Sequence, residues 1–220
     1  PRSSSRCGNV TLATDHHGEE NPRAPKHWHR MPEALAKNAR LHFEDGGAGE
    51  PVVMVPGLGM AETVWADARC RLEPHFRVIT VDPRGSGQSD KPPGPYTGEL
   101  VAADLVAVLD AAKIEHAHVV GMSMGGMIAQ ELALAHPDRI ASLMLVSTYA
   151  APDEWATRAL ETRRRLIEEV GLTEQFKLAV HFVFSPQAFR TIPEFIASLE
   201  QKIANNPPDL QAYLSQLDFC

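Results

Sequence analysis

Four short apolar segments of this sequence lack any alternation between apolar and polar residues, and they constrain the fold most strongly. They lie at residues 52–55, 78–81, 118–120 and 143–146. Uninterrupted runs of this length are typical of strands that are buried on both faces. Two segments between these runs, 99–112 and 124–135, have apolar residues at helical spacing. A shorter strand is expected at 41–44, followed by a glycine-rich turn at 45–49. Strands that alternate with helices predict an α/β fold with a mostly parallel sheet and right-handed crossovers.

The pattern changes after the last of these runs. Pro152, Asp153 and Glu154 are typical of a helix start, because proline and acidic residues favour the first helical turn. We interpret the two acids in that way rather than as catalytic groups. Helical patterns then continue to the end of the chain. The sequence therefore predicts an α/β core at 31–150, followed by an all-helical insert at 151–220.

The helical insert is rich in phenylalanine, and two interpretations of this are open. It contains five of the eight phenylalanines, namely Phe176, Phe182, Phe184, Phe189 and Phe195. One interpretation is that they form the insert's own hydrophobic core. The other is that some of them line an apolar substrate pocket.

Residues 1–30 differ in composition from the rest of the chain. They are polar and rich in proline, serine and histidine, and they show no hydrophobic period. Such a segment cannot bury enough surface to offset its ordering entropy, so we predict a disordered tail. We hypothesise that the natural protein starts at Met31, and that deleting 1–30 leaves the melting temperature nearly unchanged. The four histidines of this segment are too scattered to predict a metal site.

The charge balance argues against a nucleic-acid partner. The net charge is −7, from 28 acidic and 21 basic side chains. Phosphate binding needs clustered lysine and arginine, and the chain has no basic stripe. The three consecutive arginines at 163–165 are flanked by Glu161 and Glu168, which indicates a solvated helix face.

Cysteine content and hydropathy favour a cytoplasmic protein without a membrane partner. The three cysteines, Cys7, Cys70 and Cys220, are far apart and include no C-x-x-C pair, so neither a disulfide framework nor a zinc site is predicted. A reducing compartment is the corresponding expectation. No apolar run has the length of a membrane span, and the N-terminus lacks the regions of a secretory signal. The sequence leaves the oligomeric state open.

The pentapeptide Gly-Met-Ser-Met-Gly at 121–125 fits the G-x-S-x-G pattern of a nucleophile elbow. It follows a predicted strand and opens a predicted helix, as an elbow requires. A serine on such a turn projects its hydroxyl from the sheet edge and has strained backbone angles. Gly121 and Gly125 leave room where the strand and the helix pass closely. We therefore predict that Ser123 is a nucleophile and that the helix start stabilises the oxyanion formed when it attacks a carbonyl.

Together with three other segments, this motif resembles the α/β-hydrolase superfamily. The segments are Pro-Gly-Leu-Gly at 56–59, Asp-Pro-Arg-Gly-Ser-Gly-Gln-Ser at 82–89, the elbow at 121–126 and His-Pro-Asp-Arg-Ile at 136–140. The sequence is most similar to 3-oxoadipate enol-lactonase-like and cofactor-free haloperoxidase-like esterases. The resemblance implies an α/β-hydrolase fold. It covers residues 38–150 well, and it identifies the helical insert with the family's lid only loosely.

The resemblance also implies an oxyanion hole made of two backbone N–H groups, those of Leu58 and Met124. The family often has His-Gly where this chain has Pro56 and Gly57. A backbone donor tolerates this change of side chain. Asp82 precedes the serine, whereas the family's triad runs in the order serine, acid, histidine. We therefore interpret Asp82 as a structural turn residue.

A serine needs a base, and the resemblance places the acid and the histidine of the triad after two further strands beyond the lid. After Ser123 the chain contains only His136, interpreted as structural, and His181, interpreted as a packing residue with a base role as the alternative. Two more strand–helix units need about 60 residues. Our hypothesis is that the natural protein continues past Cys220, and that the 220-residue chain is an inactive fragment. Its last strand would be an unpaired sheet edge that favours aggregation.

Hydrolysis of a small ester, lactone or related acyl compound is the leading functional hypothesis, without a cofactor or a metal. The alternatives on the same fold are perhydrolase or haloperoxidase chemistry, C–C bond hydrolysis, and a truncated non-catalytic pseudo-hydrolase. Dinucleotide binding is disfavoured, because Glu62 and Asp90 stand where the third small residue of each glycine-rich segment belongs. The sequence does not name the substrate.

Overall fold

The computed structural model describes residues 33–220, which form one six-stranded sheet covered by helices. The strands are β1 (Glu33–Ala36), β2 (Ala39–Gly47), β3 (Pro51–Val55), β4 (Arg77–Val81), β5 (Ala117–Met122) and β6 (Ile140–Val146). Their order across the sheet is β1-β2-β4-β3-β5-β6. The last four strands of that order pair in parallel, and β1 and β2 pair antiparallel. The predicted α/β fold with a mostly parallel sheet is confirmed.

Eight α-helices connect and follow these strands in the described part of the chain. They are α1 (Ala66–Leu72), α2 (Gly98–Ala111), α3 (Met124–Ala135), α4 (Glu154–Val170), α5 (Leu172–Val183), α6 (Ala188–Thr191), α7 (Pro193–Asn205) and α8 (Leu210–Phe219). The helix start predicted near Asp153 is confirmed. Its carboxylate accepts a hydrogen bond from the N–H of Ala156 at 2.8 Å, which caps α4.

Apolar side chains on both faces of the central strands explain why the runs do not alternate. Val53 and Val55 of β3 belong to the main core, which packs the sheet against α2 and α3. Val52 and Met54 face a second cluster with α1 and the segment after it. Both faces of the strand are therefore removed from water, as the uninterrupted sequence predicts.

The N-terminal edge of the sheet differs from the sequence prediction. Residues 45–47, predicted as a turn, continue β2 and pair with Arg77 to Ile79 of β4. A bidentate ion pair stabilises this extension, because the guanidinium of Arg77 contacts the two carboxylate oxygens of Asp45 at 2.6 and 3.0 Å. The hairpin partner β1 was not predicted, since four residues are too few to show a period. The strand predicted at 118–120 also extends further, to Met122, because Gly121 and Met122 still pair with β6.

The helical region after β6 does not use its phenylalanines as a core. None of the five is buried, and Phe182 and Phe195 are 79% and 53% exposed. The interpretation that these side chains form the core of the insert is therefore wrong, and the other interpretation, that some of them line an apolar substrate pocket, stays a prediction. The buried cluster of this region consists of Ile167, Leu172, Tyr213 and Leu217. A core formed at the contact between α4, α5 and α8 leaves the far sides of α5 and α7 in solvent.

The other end of the sheet is a strand with one neighbour. Among residues 33–220, β6 pairs only with β5. Its apolar side chains Leu143, Met144 and Leu145 are 36%, 59% and 44% exposed. In the same part of the chain, no helix is long and apolar enough to cross a membrane. The segment 1–30, predicted as a disordered tail, and the proposed start at Met31 lie outside the described residues. The boundaries at 150 and 151 stay a prediction.

Candidate active site

Ser123 occupies a strained backbone position between the end of β5 and the start of α3. Its φ and ψ angles are 53° and −123°. A residue other than glycine rarely adopts a positive φ, and such outliers cluster at functional sites. The N–H of Ser123 is held by the carbonyl of Val146 at 2.9 Å, and its own carbonyl accepts the N–H of Gly126 at 2.8 Å. The serine is therefore fixed by the neighbouring strand on one side and by the helix on the other.

The two glycines around Ser123 lie where the backbone leaves no space. A Cβ built on Gly121 would lie 2.4 Å from the carbonyl oxygen of Gly125. A Cβ built on Gly125 would lie 2.2 Å from the carbonyl oxygen of Val55. Both neighbours are backbone atoms, which cannot rotate away. The strand and helix thus pass each other at the distance that the elbow interpretation requires.

The loop after β3 lies directly against the serine. A Cβ built on Gly57 would come within 3.3 Å of the Cβ of Ser123. The loop turns back immediately, since the N–H of Met60 bonds the carbonyl of Gly57 at 3.1 Å. Within residues 33–220, no acceptor is paired with the N–H of Leu58. Met124, as the first residue of α3, has no acceptor within its own helix.

Asp82 is buried and holds the loops around it together. It is 1% exposed. Its two carboxylate oxygens accept the N–H groups of Glu62 at 2.6 Å and Gln88 at 2.8 Å. Its backbone carbonyl accepts the hydroxyl of Ser89 at 2.6 Å. These contacts agree with the interpretation of Asp82 as a structural turn residue. Next to it, burial raises the pKa of the Glu62 carboxyl, although a hydrogen bond from Thr80 acts in the opposite direction.

The loop after β4 is anchored to α2 by a buried ion pair. The guanidinium of Arg84 makes two hydrogen bonds to the carboxylate of Asp104, both at 2.5 Å. Arg84 is 2% exposed and Asp104 5%. The aromatic ring of Tyr96 lies 5.5 Å from the guanidinium carbon. A bidentate pair with buried partners fixes both position and orientation.

The two histidines that follow Ser123 in the chain do not form a hydrogen bond with its hydroxyl. His136 follows α3, at the opposite end of that helix from Ser123. His181 is exposed on α5, where its Nδ1 is 3.0 Å from the Lys177 carbonyl oxygen and its ring stacks on Phe189 with centroids 5.1 Å apart. No histidine of the described residues is hydrogen-bonded to Ser123.

Sequence reasoning did not identify Gln216 on α8, which contacts both loops of the site. Its side-chain oxygen accepts the N–H of Gly59 at 2.9 Å. Its side-chain nitrogen donates to the Arg84 carbonyl at 2.7 Å and to the Ser86 hydroxyl at 2.9 Å. A glutamine in a helix carries no local sequence signal for a contact 157 residues away. The described residues also contain no group of three or more histidine, cysteine or acidic side chains arranged to hold a metal ion.

A mostly parallel sheet with a strained serine between the end of a strand and the start of a helix is typical of α/β-hydrolase folds. The sequence model of the α/β hydrolase fold matches residues 50–206. The chain therefore belongs to the α/β-hydrolase family.

Several relatives of this chain have names that refer to hydrolytic reactions. The chain is 35% identical over 191 residues to a protein of Azorhizobium caulinodans named as a proposed carbamate hydrolase, RutD, with 86% of this chain and 71% of the relative covered. It is 31% identical over 171 residues to 3-oxoadipate enol-lactonase 2 of Acinetobacter baylyi, with 77% and 63% covered. Relatives from Caulobacter with the RutD name are matched over about half of their length, 48% to 51%.

Solved structures show the same fold. A thermophilic esterase from Thermogutta terrifontis superposes with a TM-score of 0.74 at 33% identity, covering 85% of this chain and 72% of that one. The enol-lactonase of Burkholderia xenovorans LB400 superposes with a TM-score of 0.73 at 28% identity and the same coverage.

Proposed function

We propose that this protein is a serine hydrolase that cleaves a small ester, lactone or related acyl compound, with Ser123 as the nucleophile. The observation that carries the proposal is the conformation of Ser123, which has φ 53° between a buried strand and a helix start. A strained serine at this position presents its hydroxyl outward from the sheet edge. The loop at 57–59 begins directly against it, since a Cβ built on Gly57 would come within 3.3 Å of the Cβ of Ser123.

Two backbone N–H groups form the oxyanion hole in this proposal. They belong to Leu58, on the loop after β3, and to Met124, at the start of α3. When Ser123 attacks a carbonyl, the carbonyl oxygen becomes negative. Donors that already face that position stabilise the charge without reorganising. The positive end of the α3 dipole adds to this field.

The reaction also needs a base that takes the proton of the Ser123 hydroxyl. The described histidines do not contact this hydroxyl. The serine and the oxyanion hole are therefore the part of the machinery that we assign here.

The names of the relatives support the substrate class. An esterase, an enol-lactonase and a proposed carbamate hydrolase all act on a carbonyl that carries an oxygen or nitrogen leaving group. The tetrahedral intermediate of each reaction places one negative oxygen next to the attacked carbon. The same oxyanion hole serves all three.

The test uses Ser123→Ala in the protein expressed from its natural gene, with Ser147→Ala as the matched control. Ser147 also has a positive φ, 50°, and directly follows the neighbouring strand β6. A fluorophosphonate probe should label the parent and the control but not Ser123→Ala. Activity on a panel of small esters, lactones and carbamates should follow the labelling, with a loss on the order of 10⁴-fold or more in Ser123→Ala.

Two outcomes would contradict the proposal. Unchanged labelling of Ser123→Ala would mean that another residue is the nucleophile. A folded parent without labelling or activity would favour a non-catalytic hydrolase fold.

Running the panel with and without hydrogen peroxide separates hydrolysis from perhydrolysis. This control is needed because a bromoperoxidase-like structure from Mycobacterium tuberculosis is 27% identical to this chain with a TM-score of 0.70.

A further inference from the structure

The carboxamide of Gln216 is a buried polar group whose hydrogen bonds are directed at two loops outside its own helix. Gln216 is 1% exposed. Its oxygen receives the N–H of Gly59, and its nitrogen donates to the Arg84 carbonyl and the Ser86 hydroxyl. A buried amide that lost these partners would pay a desolvation cost, so the side chain is held in one position.

The chemistry of the partners also fixes which way the amide points. A backbone N–H can only donate, and a backbone carbonyl can only accept. Exchanging the oxygen and nitrogen of Gln216 would place a donor against the Gly59 N–H and an acceptor against the Arg84 carbonyl. The observed orientation is therefore the one that these partners permit.

Gly59 is one residue away from the proposed oxyanion donor. Its φ is +68°, a left-handed conformation that glycine adopts without strain. The ring of Tyr213, also on α8, covers it so closely that a Cβ on Gly59 would lie 2.6 Å from a ring carbon. The loop is thus held by α8 through a hydrogen bond and an aromatic contact. Any rotation of the Leu58–Gly59 backbone would break them.

The other side of Gln216 is attached to a rigid support. Arg84 and Ser86 belong to the loop after β4, and Arg84 is fixed to α2 through its buried pair with Asp104. The contacts run without interruption from Asp104 through Arg84 and Gln216 to Gly59. Gln216 therefore connects two loops of different rigidity. The loop after β4 is firmly anchored to α2, whereas the loop after β3 is short and rich in glycine.

We propose that Gln216 is a positioning residue for the oxyanion hole: it transfers the rigidity of the β4 loop to the β3 loop, and so holds the Leu58 N–H in the direction of the developing oxyanion. This inference rests on the proposed function of Ser123 and Leu58. Gln216 does not touch the reacting atoms. Its effect belongs to the transition state, because the ground-state carbonyl gains less from an aligned donor than the oxyanion does.

The central experiment compares Gln216→Met with Ser215→Ala in the natural protein. Methionine has a similar length and removes all three hydrogen bonds. Ser215 lies next to Gln216 on α8, is 4% exposed, and bonds only the Gln211 carbonyl of its own helix. We expect Gln216→Met to lower kcat on the order of 10-fold with KM nearly unchanged, since the donor is displaced rather than deleted. Ser215→Ala should keep the parent kcat.

A second readout separates positioning from a general loss of folded enzyme. The inhibition constant of a trifluoromethyl ketone, which forms a tetrahedral oxyanion with a serine, does not depend on the fraction of active protein. It should rise in Gln216→Met by the same factor by which kcat/KM falls. Hydrogen exchange at the Gly59 amide should become faster in Gln216→Met and stay unchanged in Ser215→Ala.

The outcomes distinguish this inference from the proposed function. If Ser123→Ala is inactive while Gln216→Met keeps the parent kcat and inhibition constant, the positioning role is wrong and the serine mechanism stands. If Ser123→Ala stays active, both fail. Should Gln216→Met not fold, Ser86→Ala removes only one partner of the amide nitrogen. It should shift the inhibition constant in the same direction by a smaller factor, and an unchanged constant would overturn the inference.

Discussion

At the scale of single residues, the site depends on positions where any side chain would collide with the backbone. Gly121 and Gly125 could be assigned from the sequence, because the G-x-S-x-G spacing between a strand and a helix has a steric reason. Gln216 could not be assigned in this way. Its three partners come from loops that are distant in the chain, and a helical glutamine has the same local pattern whether it is buried or exposed.

We predict that Gly125→Ala destabilises the fold more than Gly171→Ala does, because only the first variant adds a collision with the backbone to be relieved. The new Cβ of the first variant would lie 2.2 Å from the Val55 carbonyl oxygen, so β3 and α3 would have to move apart. Overpacking of this kind costs about 1–3 kcal/mol or more. At Gly171 nothing lies within 4 Å of the Cβ, and only the backbone opposes alanine, because φ 86° and ψ 162° lie in a region that glycine alone adopts readily, at a cost of about 1–3 kcal/mol.

Thermal unfolding followed by circular dichroism measures both glycine variants. A Gly125→Ala protein with the parent melting temperature would show that the strand and helix are further apart than described here. A larger loss in Gly171→Ala than in Gly125→Ala would contradict the steric account in the same way.

At the scale of elements, the central strands and the two helices beside them followed from the sequence, and the edges did not. The short apolar runs of β3 and β4 are buried, as their residue types predict, whereas the equally apolar run at 143–146 of β6 is exposed among residues 33–220, so the expectation of burial on both faces is wrong for that strand. The hairpin of β1 and β2 contains polar residues such as Asp45 and Glu44, whose partners lie on β4 and α1. Edge strands are stabilised by such specific contacts, which a periodic pattern does not show. The sequence does not show that the phenylalanines of α5 and α7 are not buried, because their burial depends on how these helices pack against α4 and α8 in the folded protein.

We predict that β6 is the surface through which the 220-residue chain self-associates. The strand has a neighbour on one side only among residues 33–220, and three consecutive apolar side chains on it are exposed. A charged residue on such an edge opposes strand addition. Met144→Lys should therefore reduce the associated fraction in sedimentation velocity experiments.

The control for this edge prediction is Leu134→Lys, because Leu134 is 81% exposed on α3 and offers no strand edge. Both variants add one positive charge to an exposed apolar site. Equal effects of the two variants would mean that net charge, rather than the β6 edge, controls the association.

At the scale of the whole molecule, the helical region is attached to the sheet through α8. The cluster of Ile167, Leu172, Tyr213 and Leu217 also contacts Leu58 of the loop after β3. Two regions that share a buried cluster are expected to unfold together. The division at residue 150 follows the change of pattern along the chain, but the contacts of Tyr213 and Gln216 cross it.

We predict that Tyr213→Ala lowers the stability of the whole chain in one cooperative transition. The ring is 4% exposed, and removal of a buried aromatic ring costs about 3–5 kcal/mol. Phe182→Ala removes an aromatic ring that is 79% exposed and should leave the melting temperature nearly unchanged. Far-UV circular dichroism measures both. Two separate transitions in Tyr213→Ala would show that the helical region unfolds independently of the sheet.

The long reach of the bond between Gln216 and Gly59 has a consequence for the order of folding. The two residues are 157 positions apart, and all six strands among residues 33–220 precede Gln216, the last of them ending at Val146. Translation at about 5–20 residues per second delivers Gln216 to a growing chain roughly 4–14 seconds after the end of β6. Contacts of high sequence separation form late, because a long loop must close first. A nascent chain can therefore pair these six strands and form the turn at Ser123 while the loop of Leu58 still lacks its hydrogen bond to Gln216, so the position of that loop is fixed later than the strands beside it.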